Sequence, residues 1–283
     1  MSIQQATLKA NAIIRDLQIR YPSEIDINDI CMERGAFVHE KHIDGAEAWL
    51  VRHGKRAIIA INDKLHELGR KRFATAHELG HFELHNDSQL LVCNDEDMLA
   101  WNQSKLQEVE ANEFASCILM PETIFPRYVK KGAPNMDSVS ELASEFGTTL
   151  TATALRYTQL STEPCALAVS KGGILKWYRR SISFEFHLKV GEKLSPDTYA
   201  FDYFDGSDLP TRSRKVPADA WIAGNICQDG EISEHSVALG SYGIVLSLLW
   251  IDKEIRRVWQ RDEEEQEFDM TNKFNPDGKR WQW

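Results

Sequence analysis

A His-Glu-x-x-His pattern lies within the stretch RFATAHELGHFELH of the 283-residue chain. Residues four apart lie on the same face of a helix, so His77 and His81 can direct their imidazoles at one point. Glu78 directly follows the first histidine and can reach a water molecule at that point. Two imidazoles and a carboxylate in this order form the zinc motif of metalloproteases. Gly80 leaves room for another backbone to pack against the same helix.

A catalytic zinc ion needs three protein ligands and one open coordination position. The stretch QEVEANEFASCILMP offers three glutamates, of which Glu108 is the predicted third ligand. Asn112 lies one helical turn later on the same face, where it can hydrogen-bond a ligand. Glu110 and Glu113 point about 160° and about 140° away from Glu108 on a helix. We therefore predict that these two glutamates are solvated surface charges.

The elements that position these side chains follow from the spacing of apolar residues. Helical periodicity predicts one helix over 70–85, which carries the motif, and another over 106–120, which carries Glu108. Upstream, the predicted elements are helices over 3–19 and 28–35, the second capped by Asn28, a strand over 36–42, and a hairpin around His53-Gly54-Lys55. The hairpin strand RAIIAIN is the predicted substrate-binding edge, with an internal strand paired on both sides as the alternative.

The character of the sequence changes near residue 163. A hairpin around Gly172-Gly173 and strand patterns in SISFEFHLKV and YGIVLSLLWID predict a strand-rich second part. The fold class is therefore α+β. The predicted domains are a metallopeptidase domain over 1–135, a helical segment over 136–163, a strand-rich α+β domain over 164–262 and a tail over 263–283.

Composition narrows the class of protein further. The net charge of −10 gives no general attraction to nucleic acid. Five scattered cysteines without a CxxC pair indicate reduced thiols. The N-terminus has no signal-peptide pattern, and no apolar run approaches the roughly 18 residues of a membrane span. We therefore expect a cytoplasmic protein.

The blocks RFATAHELGHFELH and EVEANEFASCILMP resemble the two motif blocks of the ImmA/IrrE metallopeptidases, a group of bacterial zincins. The resemblance covers roughly the first 160 residues, and beyond them it is a looser likeness to members with an appended GAF-like sensory domain. It implies a zincin-like fold in which His77, His81 and Glu108 bind zinc and Glu78 is the general base of a gluzincin-like endopeptidase. The ligand set also accepts Mn²⁺.

The resemblance also implies a substrate and a signal. Family members typically cleave a helix-turn-helix repressor and so derepress stress genes, DNA damage response included, or defence genes. The GAF-like domain would be the sensor. Single-stranded DNA is a second candidate signal, because Trp177, Arg179 and Arg180 combine an aromatic face with positive charge. The alternative is a strand with an ordinary exposed basic end.

Cys93 lies in the chain between the two ligand-bearing helices, and a thiolate binds zinc better than water does. We hypothesise that Cys93 closes the fourth position as a cysteine switch, with an ordinary thiol as the alternative. His85 is predicted to favour the dipole at the helix C-terminus rather than to be a ligand. Tyr128 and Arg72 are candidates for the oxyanion-stabilising donor, which stays open.

A DNA-binding transcriptional regulator is the alternative function. Apolar residues of the segment 137–161 match the core pattern of a helix-turn-helix. The presumptive second helix, TTLTATALRYTQL, carries only Arg156 as a basic group, however, whereas groove-reading helices present more phosphate- and base-contacting residues. We therefore predict a structural helix pair.

Overall fold

The computed structural model describes residues 2–85, 90–93, 106–224 and 230–252, with the backbone alone at 90–93. Contacts between Cα atoms group the chain into two compact units. The first contains residues 1–131 and 137–157, and the second contains residues 132–136 and 158–283. The helical segment predicted as a domain of its own is therefore divided between them, mostly within the first unit.

The first unit combines a mixed sheet with helices. Its elements in chain order are α1 (Ile3–Asp16), α2 (Ile27–Glu33), β1 (Ala36–Lys41), β2 (Ala48–His53), β3 (Arg56–Asn62), α3 (Leu68–Leu84), β4 (Leu90–Cys93), α4 (Leu106–Leu119), α5 (Met136–Phe146) and α6 (Leu150–Leu160). The predicted hairpin is confirmed, since β2 and β3 pair antiparallel around Gly54. The N-cap of α2 is Asp26, whose carboxylate accepts from two backbone N–H groups, and not Asn28.

Strand β3 lies inside the sheet, whose order is β1-β3-β2-β4. It pairs in parallel with β1 and antiparallel with β2. The prediction that RAIIAIN is the substrate-binding edge is therefore wrong, and the internal-strand alternative is confirmed. The reason is that β3, the second strand of the hairpin, returns between β2 and the earlier strand β1, so that both of its sides are paired. Within the described strands, the two edges are β1 and β4.

Helix α4 is buried on every side after its first turn. Ten consecutive residues, Glu110 to Leu119, lie in the interior, because α4 packs against α3 and α1. Gly80 is the site of close approach between α3 and α4: a methyl group there would lie 3.2 Å from the Ala111 Cα atom and 3.1 Å from the Phe114 ring. The sequence-based interpretation of Gly80 is therefore confirmed.

The two-helix segment α5–α6 turns at Gly147, which has a positive φ of 60°. Such a backbone favours glycine because it has no Cβ. The apolar residues Leu142, Phe146 and Leu155 are buried, as the pattern predicted. Arg156 is also buried, at 1% exposed, and donates from Nε to the carbonyl of Met120 at 2.9 Å.

The second unit is built around an antiparallel sheet in the order β6-β5-β9-β8-β7. Its elements are β5 (Cys165–Lys171), β6 (Ile174–Arg180), α7 (Tyr199–Phe204), β7 (Arg214–Pro217), β8 (Glu231–Leu239) and β9 (Ile244–Trp250). The hairpin around Gly172-Gly173 and the strand in YGIVLSLLWID are confirmed. Trp221 and Phe184 lie in the apolar core on one face of this sheet.

The prediction of a strand over SISFEFHLKV is wrong. Residues 181–190 form no ladder, and only an isolated bridge joins Leu188 to Ile222. The alternating pattern still has a structural meaning, since Phe184, Phe186 and Leu188 are buried. The guanidinium of Arg180 donates hydrogen bonds to the carbonyls of Phe184 and Phe186. In a ladder, these carbonyls would instead accept from a neighbouring strand.

Candidate metal centre

Helix α3 carries His77, Glu78 and His81, and all three side chains are fully buried. The motif lies in the second half of the helix, where consecutive residues from Phe73 to Phe82 are all in the interior. The i, i+4 spacing brings the two imidazoles together: His77 Nε2 and His81 Nε2 lie 2.9 Å apart. Two nitrogen atoms with lone pairs therefore converge on one point.

Glu108, in the first turn of α4, completes the cluster. Its Oε2 atom lies 3.1 Å from His77 Nε2 and 3.4 Å from His81 Nε2. Among the residues that the structure describes, these three side chains form the group of His, Cys, Asp and Glu able to hold a metal ion. The close packing of α4 on α3 at Gly80 brings the carboxylate to the histidines.

The donor set fits a zinc ion. Ligands about 2.1 Å from Zn²⁺ in a tetrahedron are separated by about 3.4 Å. The three observed separations of 2.9, 3.1 and 3.4 Å are close to that value. Two imidazoles and one carboxylate leave one of four positions open, as in catalytic rather than structural zinc sites.

The electrostatics of the cluster also suit a cation. Burial alone would raise the pKa of Glu108, but the two imidazoles against its carboxylate hold that pKa far below its usual range. Burial lowers the pKa of His81 to about 4. For His77, burial is outweighed by the Glu108 and Glu78 carboxylates, which raise its pKa. The carboxylates that raise the pKa of His77 would also attract a cation at this cluster.

Asn112 lies behind the first histidine. Its Oδ1 atom is 2.9 Å from His77 Nδ1, and its side chain is fully buried. An acceptor at this nitrogen keeps the proton on Nδ1 and leaves the Nε2 lone pair facing the cluster. The structure thus places Asn112 where the spacing of one helical turn predicted it.

The prediction that Glu110 and Glu113 are solvated is wrong. They are 1% and 6% exposed, because α4 has no solvent-facing side from Glu110 onwards. Glu110 Oε2 lies 2.8 Å from His85 Nε2. Glu113 contacts Thr7 and lies 3.9 Å from the guanidinium of Arg156. A helical wheel compares the directions of side chains on one helix, but it contains no information about what surrounds that helix.

His85 is the C-cap of α3, at the helix end where it was predicted. It does not belong to the three-residue ligand group. It is buried rather than exposed to solvent, and its Nδ1 atom lies 3.0 Å from Nδ1 of His81. Its spacing of four residues after His81 was the signal for this contact.

Arg52 was not singled out from the sequence, yet it holds the end of the motif helix. Its Nη2 atom, on β2, donates to the carbonyls of Phe82 and, at 3.3 Å, of His85. The guanidinium also lies over the Phe82 ring, 4.5 Å from its centroid. No sequence signal indicates this contact, because 30 residues separate the partners.

The remaining predicted site residues lie apart from the cluster or outside the described side chains. Cys93 ends β4, where its backbone pairs with Ala48, and its side chain lies outside the described residues. The Arg72 guanidinium donates to the carbonyl of Ile25 at 2.9 Å. Tyr128 packs edge-on against the Phe146 ring.

The aromatic and basic residues of β6 do not share one face. Successive side chains of a strand point to opposite faces, so Trp177 and Arg179 lie on one face and Tyr178 and Arg180 on the other. Tyr178 packs on the core and its hydroxyl lies 2.9 Å from His187 Nδ1. Arg180 is bound to backbone carbonyls, so the remaining candidates for base stacking and phosphate contact on one face are Trp177 and Arg179.

Comparisons with known proteins agree with this architecture. The family model of the IrrE N-terminal-like domain, Peptidase M78, matches residues 31–158, a range that contains both ligand-bearing helices. Among solved structures, the chain is similar to a Mycobacterium tuberculosis transcriptional regulator, with 17% identity and a TM-score of 0.58 over 88% of this chain and 77% of that chain. At that identity the likeness shows the fold alone. No curated protein matches the chain.

The family match ends at residue 158, so the GAF-like character of the strand-rich part stays a prediction. Among the helices that the structure describes, none has the length and apolar character that a membrane span requires.

Proposed function

We propose that this chain is a zinc-dependent endopeptidase. The premise is that it carries an IrrE N-terminal-like domain of the Peptidase M78 family over residues 31–158. The observation that carries the proposal is the convergence of His77, His81 and Glu108 on one point, within the range that the family model matches. When bound there, Zn²⁺ would polarise the scissile carbonyl and lower the pKa of a water molecule at the open position.

The residues of the chain supply the proton transfers. Glu78 is the general base: it takes a proton from the attacking water and delivers it to the leaving amine nitrogen, so that water adds across the peptide bond and no net proton is lost. Its full burial on α3 strengthens this role, because charges interact more strongly where water is excluded.

The proposed substrate is a helix-turn-helix transcriptional repressor, whose cleavage would derepress stress or defence genes. Support comes from the family to which residues 31–158 belong. The competing proposal, a DNA-binding regulator acting through α5 and α6, is disfavoured by Arg156. This residue is the one basic group of α6, and it is buried against Met120. Without it, that helix offers no cation to phosphate groups.

The test is cleavage of the helix-turn-helix repressor encoded nearest to the chain, followed by gel electrophoresis. Glu78→Gln should still bind zinc but lose at least 10²-fold in cleavage rate, because an amide cannot act as a base. Glu145→Gln, an exposed glutamate on α5, is the matched control and should cleave as the wild type does. Equal cleavage by Glu78→Gln, or a wild type that binds no zinc, contradicts the proposal.

Latency through Cys93 is a second part of the proposal. The residue ends β4, which lies in the chain between the two ligand-bearing helices and at an edge of the sheet. Removing the thiol opens the fourth zinc position, so Cys93→Ala should raise basal cleavage in the absence of any activator. Equal basal rates for Cys93→Ala and wild type would eliminate the switch.

Activation by single-stranded DNA rests on Trp177 and Arg179, which share one face of β6. Oligonucleotide binding through such residues should weaken with salt, because phosphate contacts release counterions. Arg179→Glu should abolish the binding, whereas Arg180→Glu should act mainly on stability, since Arg180 holds backbone carbonyls. Binding that is insensitive to salt and to Arg179→Glu excludes this signal.

A further inference from the structure

Three buried side chains form a chain of contacts that starts at the second histidine of the motif. Nδ1 of His81 lies 3.0 Å from Nδ1 of His85, and Nε2 of His85 lies 2.8 Å from Oε2 of Glu110. All three residues are at most 6% exposed. The chain runs away from the ligand cluster, on the side of His81 opposite to His77 and Glu108.

The hydrogens in this chain have one consistent arrangement when His81 is a ligand. A neutral imidazole that presents its Nε2 lone pair to a cation carries its proton on Nδ1. That proton requires an acceptor, which is Nδ1 of His85. Because Nδ1 of His85 accepts, the proton of this ring lies on Nε2, which donates to the carboxylate of Glu110. Every nitrogen atom in the chain then has a defined role.

We propose that His85 and Glu110 are positioning residues, which hold the tautomer and the ring orientation of His81 so that Nε2 faces the zinc ion. The proposal rests on the proposed function. In this proposal His85 accepts the Nδ1 proton of His81, as the amide oxygen of Asn112 accepts the Nδ1 proton of His77. That oxygen lies 2.9 Å from His77 Nδ1. The two ligands are thus held by different devices: one amide for His77, and an imidazole backed by a carboxylate for His81.

The contact between His85 and Glu110 links two helices. His85 is the residue that ends α3, and Glu110 lies in α4 two residues after Glu108. The contact therefore joins the end of the motif helix to the helix that supplies the third ligand. A ligand oriented by such a contact does not have to be ordered when the ion binds, which raises zinc affinity.

The experiment measures the zinc dissociation constant of the full chain by competition with a chromogenic chelator. His85→Phe keeps the ring volume but removes the acceptor, and Glu110→Leu removes the end of the chain. Each should weaken zinc binding about 10- to 100-fold. Glu110→Gln keeps an oxygen that accepts from His85, and His85→Gln keeps an oxygen that accepts from His81, so these variants should lose less than about tenfold.

The matched control is Glu83→Gln. Glu83 lies between His81 and His85 on the same helix and is partly buried, but its carboxylate binds Arg34 at 2.7 Å and Lys9 at 2.9 Å. This variant should lose stability and keep the zinc affinity of the wild type. Far-UV circular dichroism of the metal-free proteins identifies any variant that does not fold, and the glutamine variants keep the test decisive in that case.

Two results overturn the proposal: wild-type affinity in both His85→Phe and Glu110→Leu, or equal weakening by Glu83→Gln. Failure of the proposed function gives a different pattern. In that case the wild type binds zinc and responds to these substitutions as expected, but it cleaves no repressor and shows no difference from Glu78→Gln.

Discussion

Gly80 lies between Glu78 and His81 of the motif helix, and it is also where α4 approaches. A Cβ atom at this position would lie 3.2 Å from both the Cα and the carbonyl oxygen of Ala111. These are backbone atoms, which cannot move aside as the end of a flexible side chain does. The distance between the motif and Glu108 therefore depends on the absence of a Cβ atom at position 80.

Gly80→Ala should weaken both folding and zinc binding. Alanine gains about 1 kcal/mol of helix propensity, but overpacking of a tight contact costs about 1–3 kcal/mol. We expect a net loss of about 1 kcal/mol in the free energy of unfolding, measured by urea denaturation, together with a weaker zinc affinity. Gly240→Ala is the control, because a Cβ there meets open space. A variant at position 80 that is more stable and binds zinc normally would contradict the importance of this contact.

At the scale of elements, the ends of the helices are held by arginines from other elements. Arg52 of β2 donates to carbonyls at the end of α3, and Arg156 of α6 donates to the carbonyl of Met120, just beyond α4. The last carbonyls of a helix have no partner within the helix, and a cation favours the negative end of the helix dipole. Both helices that carry the proposed zinc ligands are therefore terminated by tertiary contacts.

Arg52→Met should free the C-terminus of α3. The substitution keeps an apolar chain over the Phe82 ring but removes the hydrogen bonds, so we expect a loss of about 2 kcal/mol in the free energy of unfolding. Arg56→Met, an exposed position on the neighbouring strand, serves as control and should change stability by less than about 0.5 kcal/mol. Equal urea midpoints for the two variants would show that this cap has no energetic role.

Arg156→Met should destabilise the first unit more strongly. It leaves the buried Glu113 without the cation that lies 3.9 Å from it, and breaking a buried pair by removing one partner costs about 3 kcal/mol. The double variant Arg156→Met, Glu113→Gln should recover part of this loss in a urea-unfolding cycle. Strictly additive losses would argue against an interaction between the two side chains.

At the scale of the whole molecule, each of the two units has its own sheet, and the three proposed ligands belong to one of the units. Binding to the folded state stabilises only the structure that must be folded to form the site. The zinc site and the strand-rich sheet should therefore respond differently to the same ion.

Zinc added to the metal-free protein should slow hydrogen exchange in α3 and α4 and leave β5 and β9 unchanged. At a free concentration 100 times the dissociation constant, the stabilisation is about 2.7 kcal/mol, or roughly 100-fold slower exchange where opening destroys the site. His77→Ala should show no response to zinc in any segment. Equal slowing in both units would mean that they unfold together.

The sequence by itself determined what depends on local geometry. The spacing of His77 and His81 sets their common face in any α-helix, and the same argument placed Asn112 behind a ligand. The turns at Gly54, Gly147 and Gly172 were also predictable, because few residues accept a positive φ. The α+β class and the family resemblance followed from these local patterns.

The tertiary structure decided what surrounds each element. Whether Glu110 meets water or His85 depends on the packing of helices that are distant in sequence, and whether β3 is an edge depends on whether β1 pairs with its second side. The same holds for residues 181–190, whose alternation predicted a strand although Arg180 takes up their carbonyls. A periodic pattern states which side chains share a direction. Only the long-range contacts determine what lies in that direction. These contacts form, and stabilise the fold, only when segments that are distant in the chain have come together.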